Sequence, residues 1–308
     1  MRLAAAFVAA AMMAGVFEGQ SMPAVSHEYA DVNGVRLHYA TAGRGPLIVF
    51  LHGFPEFWYE WRDQLAEFGR DHTAVAPDMR GYNLSSKPAE LSAYSVPAIV
   101  EDVRALASEL LKSTGGAKFT LVAHDWGGAI AWVFAAMHPE MLDRLVIINA
   151  PHPTIFAREL RENPAQQQAS QYMLLFRAPT AEATLSANNY AALVSALGIS
   201  GADKDAYIAA WSQPGALTGG LNYYRAAEVG PPQTGRPLPE STAPPLMIRV
   251  PTLVIWGEKD TALLTGNLDG LGAYVPALTI RRIPDATHWV VREKSSDVNR
   301  MIREFIAP

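Results

Sequence analysis

The segment KFTLVAHDWGGAIAWVFAAMHPE, residues 118–140, joins an apolar strand to a helix through a very tight turn. The small residues Ala123, Gly127 and Gly128 surround Asp125 at that turn. A strand–turn–helix elbow of this kind presents one side chain clear of a sheet, and its better-known version presents serine. The pattern therefore indicates that Asp125 is a nucleophile, although an aspartate that only caps the helix would give a similar pattern.

Short apolar runs, typical of strands buried on both faces of a parallel sheet, recur on either side of this elbow. They occupy residues 46–53, 72–78, 119–125, 144–150 and 250–260, and residues 279–289 predict a last strand followed by a loop. Helices are predicted over residues 97–112, with Ser95 as a cap and Pro97 in the first turn, and over 127–137 and 292–306. Residues 27–43 predict a hairpin that turns at Asn33-Gly34. This alternation predicts an α/β fold with a mostly parallel, doubly wound sheet.

The pattern changes at Pro151. Residues 151–229 lack strand-like runs and predict a helical cap domain inserted into the sheet domain. The Pro-rich stretch 230–245 predicts a connector, which leaves 27–150 and 246–308 as the two parts of the core.

Composition narrows the function further. The chain has 308 residues, a formal net charge of -5 and no cysteine. Disulfides, thiolate nucleophiles and cysteine-ligated metals are therefore excluded, and the absence of a basic run argues against nucleic acid as a partner. Four histidines, at positions 52, 124, 138 and 152, are scattered and fit structural roles, so no metal or organic cofactor is implied.

The chain begins with Arg2 and an apolar run over residues 3–17, which is short for a membrane span. Residues 1–21 are interpreted either as a secretory signal or as an over-extended start ahead of Met22. The first interpretation predicts a periplasmic or secreted protein and the second a cytoplasmic one. In neither case is a stable membrane span expected.

A carboxylate nucleophile needs a base and an acid that orients it. His288 follows the last strand and Asp260 follows the strand before it, and the order nucleophile, acid, histidine is typical of this elbow. Asp260 could instead cap a helix, and His288 could be an ordinary surface residue. Asn149 occupies an alternative place for the acid but cannot carry a charge.

The turn HGFP, residues 52–55, follows the first parallel strand. The backbone N–H groups of Phe54 and Trp126 are predicted to form an oxyanion hole. An ordinary Gly-Pro loop is the alternative interpretation.

A carboxylate attacks saturated carbon by displacement and gives an ester, which water activated by the histidine can hydrolyse. The site therefore suits a substrate with a halide leaving group or an epoxide oxygen. An opening epoxide needs acidic donors, and Tyr172 and Tyr224 in the helical insertion could supply them.

Taken together, the motifs resemble those of the α/β-hydrolase-fold epoxide hydrolases, close to the soluble epoxide hydrolase group, from about His27 to the C-terminus. They are HGFPE, FWYEWRDQ, APDMRGYNLSSKP, HDWGG, NAPHP, YMLLFRAP, LNYYR, GEKD and THW. The resemblance implies that Asp125 is the nucleophile, His288 the base, Asp260 the relay acid, and Tyr172 and Tyr224 the ring-opening pair.

One departure from the family pattern leaves the second tyrosine open. Where the family has Asn-Trp-Tyr-Arg, this chain has Tyr223 in place of tryptophan, so Tyr223 competes with Tyr224. Tyr190 and Tyr207, also in the insertion, are interpreted as packing residues.

Two alternatives remain. A haloalkane dehalogenase shares the HDWGG motif and could use Trp126 to hold a halide, while a silent ligand-binding protein would need no triad at all. The substrate is expected to be a small apolar epoxide, with water as co-substrate, because aromatic and aliphatic residues predict an apolar pocket. These residues are Trp58, Met173, Leu174 and Phe176.

Overall fold

Short apolar strands that are buried on both faces form the centre of the molecule. In the strand Leu47–Leu51, Leu47, Val49 and Leu51 pack into the core cluster on one face, while Ile48 and Phe50 pack into the cluster on the other. Because side chains alternate along a strand, a continuous apolar run needs cover on both faces of the sheet.

The computed structural model describes residues 24–233, 238 and 245–307. Residues 1–21, interpreted above as a signal or an over-extended start, lie outside the described residues. So do residues 234–237 and 239–244 of the predicted connector. None of the helices in the described residues combines the length and apolar character needed to cross a membrane.

The described residues contain one eight-stranded sheet. Its strands are β1 (Ser26–Val32), β2 (Val35–Ala42), β3 (Leu47–Leu51), β4 (Thr73–Pro77), β5 (Phe119–His124), β6 (Leu142–Ile148), β7 (Thr252–Gly257) and β8 (Leu278–Ile283). Their spatial order is β1-β2-β4-β3-β5-β6-β7-β8. β1 and β2 form an antiparallel hairpin at one edge, and the strands from β4 to β8 pair in parallel. The predicted fold, with its mostly parallel doubly wound sheet, is confirmed.

The helices of the sheet domain cover both faces. They are α1 (Arg62–Phe68), α2 (Val96–Thr114), α3 (Asp125–Met137), α10 (Val290–Glu293) and α11 (Ser295–Ile306). The helices numbered α4 to α9 lie between β6 and β7 and are given below. Two predictions need correction. The last helix is two pieces that meet at Lys294, and the Ser95 side chain makes no capping hydrogen bond, although Pro97 does lie in the first turn of α2.

Six helices in the described residues separate β6 from β7. They are α4 (Pro153–Glu162), α5 (Pro164–Ala169), α6 (Tyr172–Arg177), α7 (Ala181–Leu197), α8 (Gly201–Trp211) and α9 (Ala216–Ala227). α7 is broken by backbone of left-handed conformation at Asn188, Asn189 and Tyr190. We call these six helices the cap. Tyr172 lies on α6 and Tyr224 on α9, and both line the same cavity as Asp125.

Candidate active site

Asp125 stands at the junction of β5 and α3 with a positive φ of 48°. This left-handed backbone is costly for a residue with a side chain, and such strain concentrates at functional sites. Glycine is required around it, because a Cβ at Gly53 would overlap the Asp125 carboxylate and one at Gly127 would overlap the backbone of Leu51. The elbow geometry therefore explains the small residues around the turn.

The two oxygens of the Asp125 carboxylate have different surroundings. Oδ1 accepts a hydrogen bond of 2.8 Å from the backbone N–H of Phe54, whereas Oδ2 lies 3.6 Å from Nε2 of His288. Trp126 is the second residue of α3, so its N–H belongs to the first turn, where N–H groups have no partner within the helix. Phe54 therefore supplies one donor to Oδ1, whereas the predicted second donor, the N–H of Trp126, stays a prediction.

His288 connects the nucleophile to Asp260. Its Nδ1 lies 2.7 Å from Oδ2 of Asp260, while the 3.6 Å between Nε2 and Asp125 is an ion-pair distance rather than a hydrogen bond. Burial alone would lower the pKa of His288, but the charges of Asp260 and Asp125 together raise that pKa well above its usual range. Burial raises the pKa of Asp125, yet its interaction with His288 outweighs this and the pKa is lowered. The three side chains thus form a row of ionised groups, with His288 between the two carboxylates.

Asp260 is fixed by donors from three directions. Its Oδ1 accepts from the N–H groups of Ala262 and Leu263 at 2.8 and 2.9 Å, and its Oδ2 accepts from the Asn149 amide at 2.8 Å. Burial would raise the pKa of Asp260, but the His288 charge and these hydrogen bonds lower it. Asn149 was set aside in the sequence analysis because it carries no charge, yet its amide donates a hydrogen bond to the predicted relay acid.

A second histidine, His124, supports the base from behind. Its Nε2 donates to the backbone carbonyl of His288 at 3.0 Å, and its Nδ1 lies 2.6 Å from a carboxylate oxygen of Glu60. Both side chains are buried, with 0% and 1% of their surface exposed. The sequence interpretation of His124 as a scattered structural histidine missed this contact, because nothing local to it indicates Glu60.

Tyr172 and Tyr224 both face the cavity that contains Asp125. Their ring centroids lie 6.4 Å apart at an interplanar angle of 80°, and the ring of Phe176 packs against both. Burial first, and then the charge of Asp125, raise the pKa of each phenol well above its usual range. Both are therefore neutral proton donors at ordinary pH.

The geometry distinguishes Tyr224 from Tyr223. The hydroxyl of Tyr223 donates to the carbonyl of Arg80 at 2.9 Å, away from the cavity that Tyr224 lines. The remaining cap tyrosines also lie elsewhere: Tyr207 hydrogen-bonds to the buried carboxylate of Glu56, and Tyr190 donates to a backbone carbonyl at 3.3 Å.

The cavity has a volume of about 570 Å³ and mostly apolar walls. Such a size and lining are typical of sites for small organic molecules. Of the residues expected to line it, Met173 does so, whereas Trp58, Leu174 and Phe176 do not. The apolar wall comes instead largely from α4, with Phe156 and Leu160, and from α3, with Ala129 and Val133. The described residues hold no cluster of three or more side chains arranged to bind a metal.

Known proteins resemble this chain in sequence and in fold. A family model described as the alpha/beta hydrolase fold matches residues 46–295. The AB hydrolase superfamily protein YfhM of Bacillus subtilis (strain 168) is 37% identical over 296 residues, which cover 92% of this chain and 99% of that protein. Epoxide hydrolase 4 of Mus musculus is 37% identical over 301 residues, or 91% of this chain and 79% of that one.

Solved structures agree with these relatives. A mutant of an epoxide hydrolase from Bacillus megaterium, complexed with its naphthyloxy-propane-diol product, has a TM-score of 0.82 and 37% identity over 91% of this chain and 99% of that one. An epoxide hydrolase from metagenomes of hot environments has a TM-score of 0.82 and 36% identity, covering 92% of this chain and 99% of its own.

Proposed function

Since this chain belongs to the epoxide hydrolases of the α/β-hydrolase fold, we propose that it opens an epoxide to a vicinal diol through an ester formed on Asp125. One observation carries the proposal: a carboxylate on the elbow and two phenols on the cap line the same cavity. A displacement at an epoxide carbon needs a nucleophile on one side and an acid beside the departing oxygen.

In the first half-reaction, Oδ2 of Asp125 attacks an epoxide carbon while Phe54 holds Oδ1. The carbon–oxygen bond of the ring breaks, and the released oxygen takes a proton from Tyr172 or Tyr224. Because both phenols carry their protons at ordinary pH, the pair can donate without prior ionisation. The product of this step is an alkyl ester of Asp125.

Formation of the ester changes the state of His288. The free carboxylate of Asp125 helps to keep His288 protonated, because its negative charge raises the pKa of the imidazole. Once Asp125 is esterified that charge is gone, so the pKa of His288 falls and the ring becomes a base. Asp260 still holds Nδ1, which leaves Nε2 directed towards the ester.

In the second half-reaction, His288 takes a proton from water, and the water oxygen attacks Cγ of Asp125. The developing oxyanion is Oδ1, which the N–H of Phe54 already contacts, and we assign the N–H of Trp126 as its second donor. The bond between Cγ and the alkyl oxygen breaks, and the diol takes the proton from His288. The second water proton replaces the one that tyrosine gave. His288, which released its own proton to solvent when the ester removed the charge of Asp125, takes a proton back as that charge returns, so the enzyme is again in its starting state.

The substrate is a small, mostly apolar epoxide, because the cavity is enclosed largely by aliphatic and aromatic side chains. We propose incubation with styrene oxide and, separately, with 1-bromobutane. Diol from the first supports the proposal, whereas bromide from the second without diol from the first would assign the site to a dehalogenase.

A single turnover in heavy-oxygen water with excess enzyme tests the ester. The label is expected in the Asp125 carboxylate and not in the diol, since water attacks Cγ rather than the substrate carbon. His288→Gln should trap the ester as a mass adduct with a reactive epoxide. Label that enters the diol directly would overturn the two-step scheme.

A further inference from the structure

The last turn of cap helix α7 has a complete set of hydrogen-bond donors. A helix leaves its final carbonyls without partners inside the helix, and these groups need donors from elsewhere. The carbonyls of Val194 and Ser195 accept from the N–H groups of Ile199 and Gly198 at 3.3 and 3.1 Å. Gly198 adopts the left-handed conformation that commonly ends a helix, with a φ of 63°.

The other two carbonyls are bound from the sheet domain. Ala196 accepts from the indole N–H of Trp289 at 2.7 Å, and Leu197 accepts from the guanidinium of Arg292 at 3.1 Å. A cation at the C-terminal end of a helix is also favoured by the helix dipole. Both donors lie within four residues after His288, so the loop of the base is attached to α7.

The Trp289 ring also contacts the base itself. Its centroid lies 4.8 Å from that of His288 at an interplanar angle of 84°, an edge-to-face contact. It lies 6.4 Å from the ring of His124, which supports the carbonyl of His288. One side chain therefore joins the cap helix to the imidazole.

This attachment is separate from the tyrosine wall. Tyr172 lies on α6 and Tyr224 on α9, whereas Ala196 lies in the second half of α7. The break at Asn188–Tyr190 divides that second half from the first half of the helix. A change at Trp289 should then reach His288 without reaching the phenols.

We propose that Trp289 is a positioning residue for His288, and that its hydrogen bond to the α7 carbonyl sets the base for hydrolysis of the ester. The inference rests on the proposed function, because it requires two half-reactions that depend on different groups. Alkylation depends on Asp125 and the tyrosines, and ester hydrolysis depends on His288. Loss of the indole N–H should therefore slow the second step alone.

Trp289→Phe tests this, because it keeps the ring and removes the N–H. In single turnovers of styrene oxide followed by quenching and mass spectrometry, ester decay should slow about five- to tenfold, the value of one hydrogen bond. Ester formation should stay within about twofold of the parent. Trp289→Leu, which also removes the ring contact, should slow decay further.

Trp58→Phe is the matched control. Trp58 is also half-buried, packs edge-on against a histidine ring at 4.9 Å and lies outside the cavity lining. No hydrogen bond of its indole N–H occurs among the residues that the structure describes. Both rates should be unchanged in this variant, so any effect at Trp289 reflects its position rather than the loss of an indole.

Two results would overturn the proposal. One is ester decay in Trp289→Phe within twofold of the parent; the other is an equal fall in both rates. A purely structural role would lower the melting temperature and leave the ratio of decay to formation unchanged. Failure of the proposed function looks different, since the parent itself would then form no diol from styrene oxide or would place heavy oxygen in the diol.

Discussion

The candidate catalytic groups of the sheet domain and those of the cap are held by different forces. Asp125, Asp260 and His288 each have hydrogen bonds or ion pairs to named partners at 2.7–3.6 Å. Tyr172 and Tyr224 are held by ring packing, with the ring of Phe176 5.2 Å from the first and 5.1 Å from the second.

The difference follows from the two tasks. A triad must keep a fixed tautomer and direction, and hydrogen bonds are directional. A phenol that protonates a departing oxygen must lie close to the substrate with water excluded, and its O–H must stay free to donate. Ring packing holds the phenol in this way without using its O–H in a hydrogen bond. Groups held by polar contacts should therefore respond sharply to removal of one partner, and groups held by packing should respond weakly unless the hydroxyl itself is removed.

The largest effect is expected at Asp125, which contacts His288 of the sheet domain and shares a cavity with the cap tyrosines. Asp125→Ala should lower turnover by a factor on the order of 10⁵ or more, because no ester can form. Steady-state diol formation and mass spectrometry of the enzyme measure this. Alanine at a φ of 48° is itself strained, so a thermal melt must show that the variant is folded. Residual adduct on the folded variant would mean that another side chain is the nucleophile.

Asp260→Asn should reduce turnover by about 10⁴, since the amide favours the wrong tautomer of His288. The loss should lie in ester decay, with the ester accumulating. Asn149 lies 2.8 Å from Asp260 through its amide, so adding Asn149→Asp returns a carboxylate to the neighbourhood. We expect a recovery of about tenfold or more from this exchange. Equal loss of both half-reactions would show that Asp260 does more than orient the base.

The tyrosine pair comes next. Tyr172→Phe or Tyr224→Phe should each slow ester formation by about 10- to 100-fold, and the double variant by about 10³. Ester decay in single turnovers should change little. Tyr223→Phe is the matched control, because its hydroxyl contacts the Arg80 carbonyl outside the cavity. A slower ester formation in the control would return the assignment to Tyr223.

The sheet half of this comparison was largely predictable from the sequence. Asp125, Asp260 and His288 each follow a strand, and parallel strands end at one edge of the sheet, so position along the chain places them together. The patterns around them are local: an elbow of small residues, and polar residues directly after apolar runs.

The contacts that hold these groups were not predictable. From the sequence, Asn149 was considered only as a residue that carries no charge, and not as an amide that could donate a hydrogen bond. No sequence pattern around Trp289 indicates a contact with a carbonyl in the cap. Both contacts join residues about 90 or more positions apart. Such pairs cannot be predicted from the sequence, because two hydrogen-bond partners far apart in the chain produce no periodic pattern of residues.

The cap wall was predicted least well, for a related reason. Met173 lines the cavity but its neighbour Leu174 does not, although both are apolar residues of one short helix. Which side of a six-residue helix faces inward depends on the packing of its neighbours. The short helix α1 of the sheet domain was not predicted for a similar reason, since its seven residues make too few turns to show a helical period of apolar residues.

The junction between the halves should respond to acid. His152 ends the chain segment that leaves the core, and its Nε2 donates to the carbonyl of Leu246, on the segment that returns, at 3.0 Å. Burial lowers the pKa of His152 to about 4, although that hydrogen bond raises it in part. The unfolded chain binds this proton near pH 6.5, so stability is lost as the pH falls from about 6.5 towards 4.

The cost should reach about 2 kcal/mol at pH 5. Denaturant unfolding of the parent and of His152→Gln, which keeps a donor but does not titrate, measures it as a difference. The advantage of the parent should shrink between pH 7 and 5. A constant difference across this range would mean that the pKa of His152 is the same in the folded and the unfolded protein.

The smallest effect is expected at an ion pair inside the cap. Arg225, next to Tyr224 in α9, makes two hydrogen bonds of 2.7 and 2.8 Å to Glu182 at the start of α7. Both side chains are partly exposed, so the pair should contribute about 0.5–1 kcal/mol. Glu182→Gln should lower the melting temperature by about 1–3 °C and speed hydrogen exchange in α9. Ester formation should stay within about twofold, because packing rather than this pair holds the tyrosine.

Glu101→Gln is the control, since it breaks a similar exposed pair with Arg104 in α2 of the sheet domain. If Glu182→Gln slowed ester formation tenfold and the control did not, the cap phenols would depend on polar contacts as the triad does, and packing would not be the force that distinguishes the two halves.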